Sequence, residues 1–598
     1  MLRSFIRPFA NFTCLAQLLS EMEGHESRKI FKQNPQTKSK NQLRKYEVIK
    51  MSYYDYDSRN NYHYNWLGFG ISLVLLVALF VGIWYLWLPA WSFNSVGMWF
   101  YVILAFAACA IIPTAIGCTG NAEFLPAGIT AIIAGVLVVA LIVVACGSGE
   151  LFHVDTYRAA AEIITGENAA DVLPDTDTMP IIDRNTARKL GDRTMGAMEK
   201  YLSQYEVSSE YNLIVYNGED YYVSPLLYGG FFKYNNSKNV GIPAYVLVNA
   251  RTGEAQLIEL ESGKEIKYAP SAYWGYDLTR HLRMKYPTKL FAGENFEVDD
   301  NGHPYYIIPT LKSTAGLFGA RVIDSVIIMN AHSGECTEYA LNEVPDWVDN
   351  VYEVGRLMKQ VAWNYDLVHG CFNFSNKEVR KTSYSFDQSQ YYCFIKDGHT
   401  WVYTGVTSAG ADESNIGFLA MSLRTGEYIY FSDPGAEESS AQASAKGLVQ
   451  QYNYSAGPVI LVNVDGHQTY FCALKDAQGL VKMYAFVNKT DYTKVSVESS
   501  IEKAIKSYRN MMGNTTTSDP TIETPEAYTA EGVVTEVYEV TVDGNTMFIF
   551  YLEGKDEFFV SAISNNFEQP RKLIPSAKVA ITYSTVDNTN VVSEITFK

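Results

Sequence analysis

Three histidines are the residues best placed by type to hold a metal: His303, His399 and His467. A neutral imidazole is the commonest zinc ligand, and three of them with one open position would make a hydrolytic centre. Their setting argues otherwise. Each follows the glycine of a tight turn, in Asn301-Gly302, Asp397-Gly398 and Asp465-Gly466. Glu219 takes the same place after Asn217-Gly218. They read as exposed hairpin residues at recurring positions, and no metal or other cofactor is expected. The other polar cluster is Asp412-Glu413-Ser414-Asn415, after Ser408-Ala409-Gly410-Ala411. A glycine-containing acidic loop suits a cation or a sugar hydroxyl, and functional residues concentrate in loops. These four residues form the candidate ligand site. No catalytic residue is assigned, because the G-x-S-x-G elbow and the P-loop are missing and the soluble part has no S-x-x-K.

The elements that position these residues repeat. A second turn follows each first one, at Thr252-Gly253-Glu254, Ser333-Gly334-Glu335, Thr425-Gly426-Glu427 and a degenerate Thr490-Asp491. Asn-Gly and Asp-Gly suit type I′ hairpins, whose two central residues need positive φ. Four copies of one β-meander are expected, each opened by an amphipathic helix. The helical positions are Leu190, Met198, Leu202 and Tyr205 in the first unit, a helix ending near Pro287 in the second, Trp347 to Val361 in the third, and Ala445 to Tyr452 in the fourth. Ser439 or Ser440 is the expected cap of the fourth. A fifth helix through Ile501, Ala504, Ile505, Tyr508 and Met512 caps the series.

Three charge-free apolar runs, near 67–88, 97–117 and 124–146, are each long enough to cross a bilayer. Tryptophans 84, 87, 91 and 99 mark an interfacial belt around the first connection. Arg59 before the first run, and the absence of Lys and Arg from 89–96, put the N-terminus inside and the large C-terminal part outside the cytoplasm, although Arg158 pulls the other way. Net charge is −17, and residues 1–50 carry ten Lys/Arg against four Glu. The remainder is strongly acidic, which disfavours nucleic acid. The eight cysteines show no metal or framework spacing and read as reduced, buried side chains.

The expected fold is α+β: a three-helix transmembrane anchor, tandem helix-on-antiparallel-sheet modules and a C-terminal small OB-like β-barrel. Its divisions are a spurious or disordered extension at 1–50, with Met51 as the expected start; a Tyr-rich tail at 51–66; the three spans at 67–146; a stalk at 147–185 with a short helix near Tyr157–Thr165; modules at 186–260, 261–345, 346–435 and 436–513, the last with the capping helix; a linker at 514–528; and the barrel at 529–598.

The pattern of apolar strand, Asn-Ala-x-Thr-Gly-Glu or its variant, and apolar strand at Val246–Leu260 and Val326–Leu341 resembles PepSY modules. Asp412–Phe418 and Leu474–Asn488 resemble an uncharacterised family of multi-span membrane proteins of Firmicutes. The resemblance covers roughly 185–515. It implies a cystatin-like helix-on-sheet fold and a role in extracytoplasmic binding or restraint of peptidases. The expected function is a non-enzymatic, membrane-anchored binding or scaffold protein of a bacterial envelope, with a protein or peptide partner. The alternatives are an envelope hydrolase with its site near Asp412, or an auxiliary subunit of a transport or secretion complex.

Overall fold

The structure is a computed structural model that describes residues 66–117, 125–166, 172–174, 176, 179–196, 199–383, 391–409, 414–512, 527–542, 545–555, 557–562, 573–586 and 589–598. The chain is mixed α+β and divides into two compact units, one ending at Ala504 and one beginning at Ile505. The expected capping helix, Ile501–Met511, spans that division. The 1–50 extension and the Tyr-rich tail up to residue 65 lie outside the described residues.

The described part of the first unit opens with three apolar helices: Trp66–Trp87, Val96–Gly117 and Leu125–Gly147. Of these, Ile129–Gly147 is long and apolar enough over its described residues to cross a membrane. Val74–Trp87 and Val96–Cys109 are shorter apolar stretches by the same measure. Ile132, Val136, Val139 and Val143 are exposed on the third helix. The first connection is closed by rings: Trp84 stacks on Trp91 at 6.3 Å, and Trp91 meets Tyr101 edge-on at 5.5 Å.

Four sheets follow, each containing a four-stranded antiparallel meander. Their strands are 212–216, 219–228, 244–249 and 255–259; 295–298, 304–315, 319–330 and 336–339; 392–396, 399–408, 414–422 and 428–431; and 455–464, 467–475, 481–488 and 495–498. Asn217, Asp397 and Asp465 adopt positive φ with the glycines after them, as a type I′ turn requires. Asn301 does not. There Asp299 accepts from the N–H groups of Asn301 and His303 at 3.0 and 2.8 Å, and only Gly302 turns left-handed. The second hairpin is therefore a longer loop closed by a left-handed glycine, because the Asp299 side chain replaces the two-residue turn.

The second turn has the same wiring in every sheet. Asn249, Asn330, Ser422 and Asn488 accept, through side-chain oxygens, from N–H groups two or three residues on. The next residue in each case, Ala250, Ala331, Leu423 or Lys489, donates its N–H to Asp220, Pro304, Thr400 or Gln468. Its carbonyl then accepts from the segment before that unit's helix: from Ile181 and Ile182, Lys267 and Tyr268, Val351 and Tyr352, and Ala436. One three-way junction thus ties second turn, first hairpin and helix entry in all four sheets.

The helices differ in detail from their sequence positions. The first is Arg184–Gly196 with a short continuation at Glu199–Leu202, and Tyr205 instead starts a strand; Met198 lies outside the described residues. The second, Leu278–Lys285, is capped by Asp277, which accepts from Arg280 N–H at 2.7 Å. The third begins at Val354, not Trp347, because Val351 and Tyr352 are used in the junction. The fourth is Glu438–Gly447, with Ala441 and Ala445 inward and Leu448 exposed. Glu437 stands at its N-cap and no side chain caps it, so neither Ser439 nor Ser440 does so.

The stretch 147–185 is not a free stalk. The short helix lies at Val154–Arg158, earlier than the expected Tyr157–Thr165, and Ile163–Thr165 instead joins the third sheet in parallel with Tyr428–Tyr430. Met179, Ile181 and Ile182 are buried. Apolar alternation over so short a strand is invisible until its partner is known.

Successive sheets lock together. Tyr245 Oη donates to Gly302 O at 3.1 Å between the first and second. Glu297 accepts from the N–H groups of Asp349 and Asn350 between the second sheet and the third unit's helix entry. Asn415 reaches Glu438 between the third and fourth. Lys475 pairs with Asp183 and Thr186 donates to Gly479 O, returning the fourth unit to the first.

The second compact unit holds a closed five-stranded barrel: Ala527–Val542, Asn545–Leu552, Phe558–Ala562, Thr589–Phe597 and Lys578–Val586 in spatial order. The third and fifth strands in sequence run parallel, and all other pairs are antiparallel. Val534, Phe550, Leu552, Phe559 and Val592 fill it. None of the six described cysteines is bridged.

Candidate ligand-binding cleft

Of the four residues of the candidate site from sequence, the structure describes Ser414 and Asn415. Asp412 and Glu413 lie outside the described residues, and Ser414 opens the strand Ser414–Ser422. Asn415 is 1% exposed. Its amide donates to Glu438 Oε2 at 2.8 Å, and its carbonyl accepts from Ser383 Oγ at 3.1 Å. Burial raises the Glu438 pKa. Asn415 is thus committed to joining the third sheet to the fourth unit's helix.

The three histidines are not gathered. Among the described residues no group of His, Cys, Asp and Glu has the arrangement of a metal site. His303 faces Asp299 at 3.2 Å within its own hairpin. His399, like His303 and His467, is half-buried and not exposed as the hairpin reading expects, and its Nδ1 lies 3.1 Å from Asp349. The turn sits against the helix entry of its own unit, which position in a hairpin cannot reveal.

A cleft of about 520 Å³ opens where the first three units meet. Tyr211, Asn295 and Tyr391 line it, and each stands six residues before its unit's first turn. Equivalent strand starts therefore converge on one space. Arg184, the first residue of its helix, ion-pairs with Glu210 and donates to Tyr391 Oη at 2.9 Å. Glu294 and Glu353 add carboxylates. Burial, with help from Asp277 and Glu210, raises the Glu294 pKa. The lining is thus acidic and rich in tyrosine around one arginine. Cys393 also borders it, but burial pushes its thiol up to about 12. A thiol so raised is a poor nucleophile at neutral pH.

Behind the cleft is a polar knot. Asp349 accepts from Val215 N–H at 2.7 Å and faces His399. Asn350 donates to Leu213 O at 2.8 Å. Glu297 is fully buried, and its pKa is raised to about 8, first by burial and then by the Asp349 charge. Side chains of the second and third units and main-chain groups of the first fix one another there, which makes the cleft wall rigid.

Apart from His399, none of these residues was read from the sequence as a site residue. Aligning the units on their first turns would have placed Tyr211, Asn295 and Tyr391 at one repeat position.

No family model matches the sequence, and no curated protein is similar to it. Among solved structures, Bacillus subtilis levansucrase is similar at 9% identity over 71% of this chain and 98% of that one, with a TM-score of 0.16. A B. megaterium levansucrase gives 7%, 73%, 96% and 0.16. A likeness this slight carries no argument about fold or function.

Proposed function

We propose that the protein is a non-enzymatic, membrane-anchored binding or scaffold protein of a bacterial envelope. In this reading four PepSY-like helix-on-sheet modules in tandem present the cleft to an extended peptide. The observation that carries it is the cleft itself, built from equivalent strand starts of three units and lined by tyrosines and one paired arginine. The shared second-turn junction supports descent from one repeated unit. Exposed apolar side chains on the first three helices, Val74, Leu79, Leu104 and Ile132 among them, support three lipid-embedded spans. The terminal barrel has the strand arrangement of an OB-like fold and supplies a second contact surface. The large C-terminal part lies outside the cytoplasm in this reading. Enclosure of Asn415 gives no support to a hydrolase centred on the Asp412 loop.

The test screens the purified full chain in detergent against arrays of extended peptides. Glu353 is an exposed residue of the cleft wall, and Glu353→Trp fills the cleft. Peptide binding is expected to fall at least about tenfold in that variant, the scale of one lost contact of 1.4 kcal/mol. Unchanged binding, or peptide hydrolysis abolished by one point substitution, overturns the reading.

A further inference from the structure

Three contacts seat the second unit on the end of the first apolar helix. Arg280 stacks over the Tyr85 ring at 4.4 Å, Arg283 Nε donates to Leu88 O at 3.1 Å, and Trp91 N–H donates to Pro287 O at 2.8 Å. Tyr85 stands two residues before the end of the helix Trp66–Trp87, which at a rise of about 1.5 Å per residue is about 3 Å inside it. The same Arg280 donates through Nη1 to Trp274 O at 2.9 Å. The loop that carries Trp274 therefore reaches the level at which the helix ends. In the membrane-anchor reading that level is the headgroup zone.

An aromatic patch continues from that loop. Trp274 is 58% exposed and Phe232 is 82% exposed, and Phe231 and Tyr273 are exposed beside them. The Phe231 ring lies 5.6 Å from that of Phe232 and 5.2 Å from that of Tyr273, so the helix Phe231–Ser237 of the first unit and the loop of the second form one surface. Tyr234, on the buried side of that helix, donates to Tyr273 O at 2.9 Å and ties the two segments together. Trp274 holds a positive φ of 58°, a region that a bulky residue rarely adopts, yet its ring gains little cover from the protein in return. Charge sets the patch apart as well. In a chain of net charge −17, no Asp or Glu occurs from Tyr221 to Gly253 or from Ile266 to Tyr276, whereas Lys233, Lys238 and Lys267 do. Large exposed rings with lysines and no carboxylate in their own segments suit the membrane–water interface, where aromatic rings are favoured and anionic headgroups repel acids.

We propose that Phe231, Phe232, Tyr273 and Trp274 insert into the headgroup layer beside the first helix, so that the soluble part rests on the membrane surface instead of standing clear of it. The proposal rests on the membrane-anchor reading. Lipid is the occupant favoured over a protein partner because Arg280 joins the patch directly to the end of an apolar helix, which makes the two surfaces continuous.

The test puts the photoreactive analogue p-benzoylphenylalanine at one position at a time in the full chain, in phosphatidylcholine nanodiscs, and counts lipid adducts by mass spectrometry after irradiation. Phe232 and Trp274 are the test positions, Val139 on the third apolar helix reports the anchor, and Tyr492 in the fourth unit is the control. All four side chains are exposed, so the analogue disturbs no core. Lipid adducts at Phe232 and Trp274 are expected to exceed those at Tyr492 by about tenfold or more. Adducts at the two test positions no more abundant than at Tyr492, with Val139 labelled, sink the patch alone. Absence of lipid adducts at Val139 sinks the anchor and the patch with it. A covalent dimer at Phe232 or Trp274 in place of lipid adducts overturns lipid as the occupant and gives the face to a second copy of the chain.

Discussion

The first three units and the fourth reach the same junction by opposite means. In the first three, a left-handed glycine closes the second turn, and an apolar or aromatic side chain from the helix entry lies on it: Ile182 on Gly253, Tyr268 on Gly334 and Tyr352 on Gly426. In the fourth the turn is one residue longer, bridging Asn488 N–H to Lys494 O where the others bridge to Glu254, Glu335 and Glu427. No left-handed glycine is then needed. The glycine moves to the helix entry as Gly435, and the Lys489 stem lies on it. Its ammonium pairs with Asp433 and Gln468, with 4% of the lysine side chain and 19% of the aspartate side chain exposed. The junction's hydrogen bonds persist while ring packing is exchanged for a buried ion pair. The lesson is that the backbone junction is the invariant of the unit and its covering side chain is replaceable.

The sharpest way to break this contrast is Gly334→Val. A Cβ there meets the Tyr268 ring, and φ is +71°. The expected loss is about 4 kcal/mol, seen as a fall in the denaturant midpoint. Thr490→Val in the fourth unit should change stability by less than about 0.5 kcal/mol. If both substitutions act alike, the two turns do not differ as described.

Lys489→Met is the next largest. It leaves Asp433 without its cation, and the expected loss is about 3 kcal/mol. Pairing it with Asp433→Leu should restore most of that stability, because two apolar groups replace two desolvated charges. A double variant no better than the single one would mean that the pair is not the covering element.

The smallest effect at a fixed mildly acidic pH is expected from Glu297→Gln, in the knot that the fourth unit lacks. Native Glu297 keeps a proton that the unfolded chain gives up above about pH 4.5, so this group takes away stability as pH rises from there toward about 8. Glutamine keeps one acceptor and carries no charge. The melting temperature of the wild type should fall relative to the variant across that window. Parallel pH profiles would show that the Glu297 carboxylate is ionised throughout.

Much of the fold was legible because turns and strand alternation are local. Asp397-Gly398 and Asp465-Gly466 are fixed by their own φ preferences, and strand boundaries in all four units follow from them. Asn301-Gly302 misled because Asp299, two residues earlier, offered a competing acceptor. The helix start at Val354 was displaced because Val351 and Tyr352 before it are claimed by the Leu423 carbonyl of the following strand pair. Asn415 looked like a loop ligand because burial leaves no mark on an isolated asparagine.

The amino-acid order by itself determined the charge-free helices, the four meanders, the five barrel strands and the glycines that close their turns, since each depends on neighbours a few residues apart. The tertiary structure alone decided that Arg184 meets Tyr391, 207 residues away, that Asp349 gathers Val215 and His399, and that Lys475 closes on Asp183. Such contacts depend on which sheet faces which, and a local pattern of turns and periods holds no information about that choice.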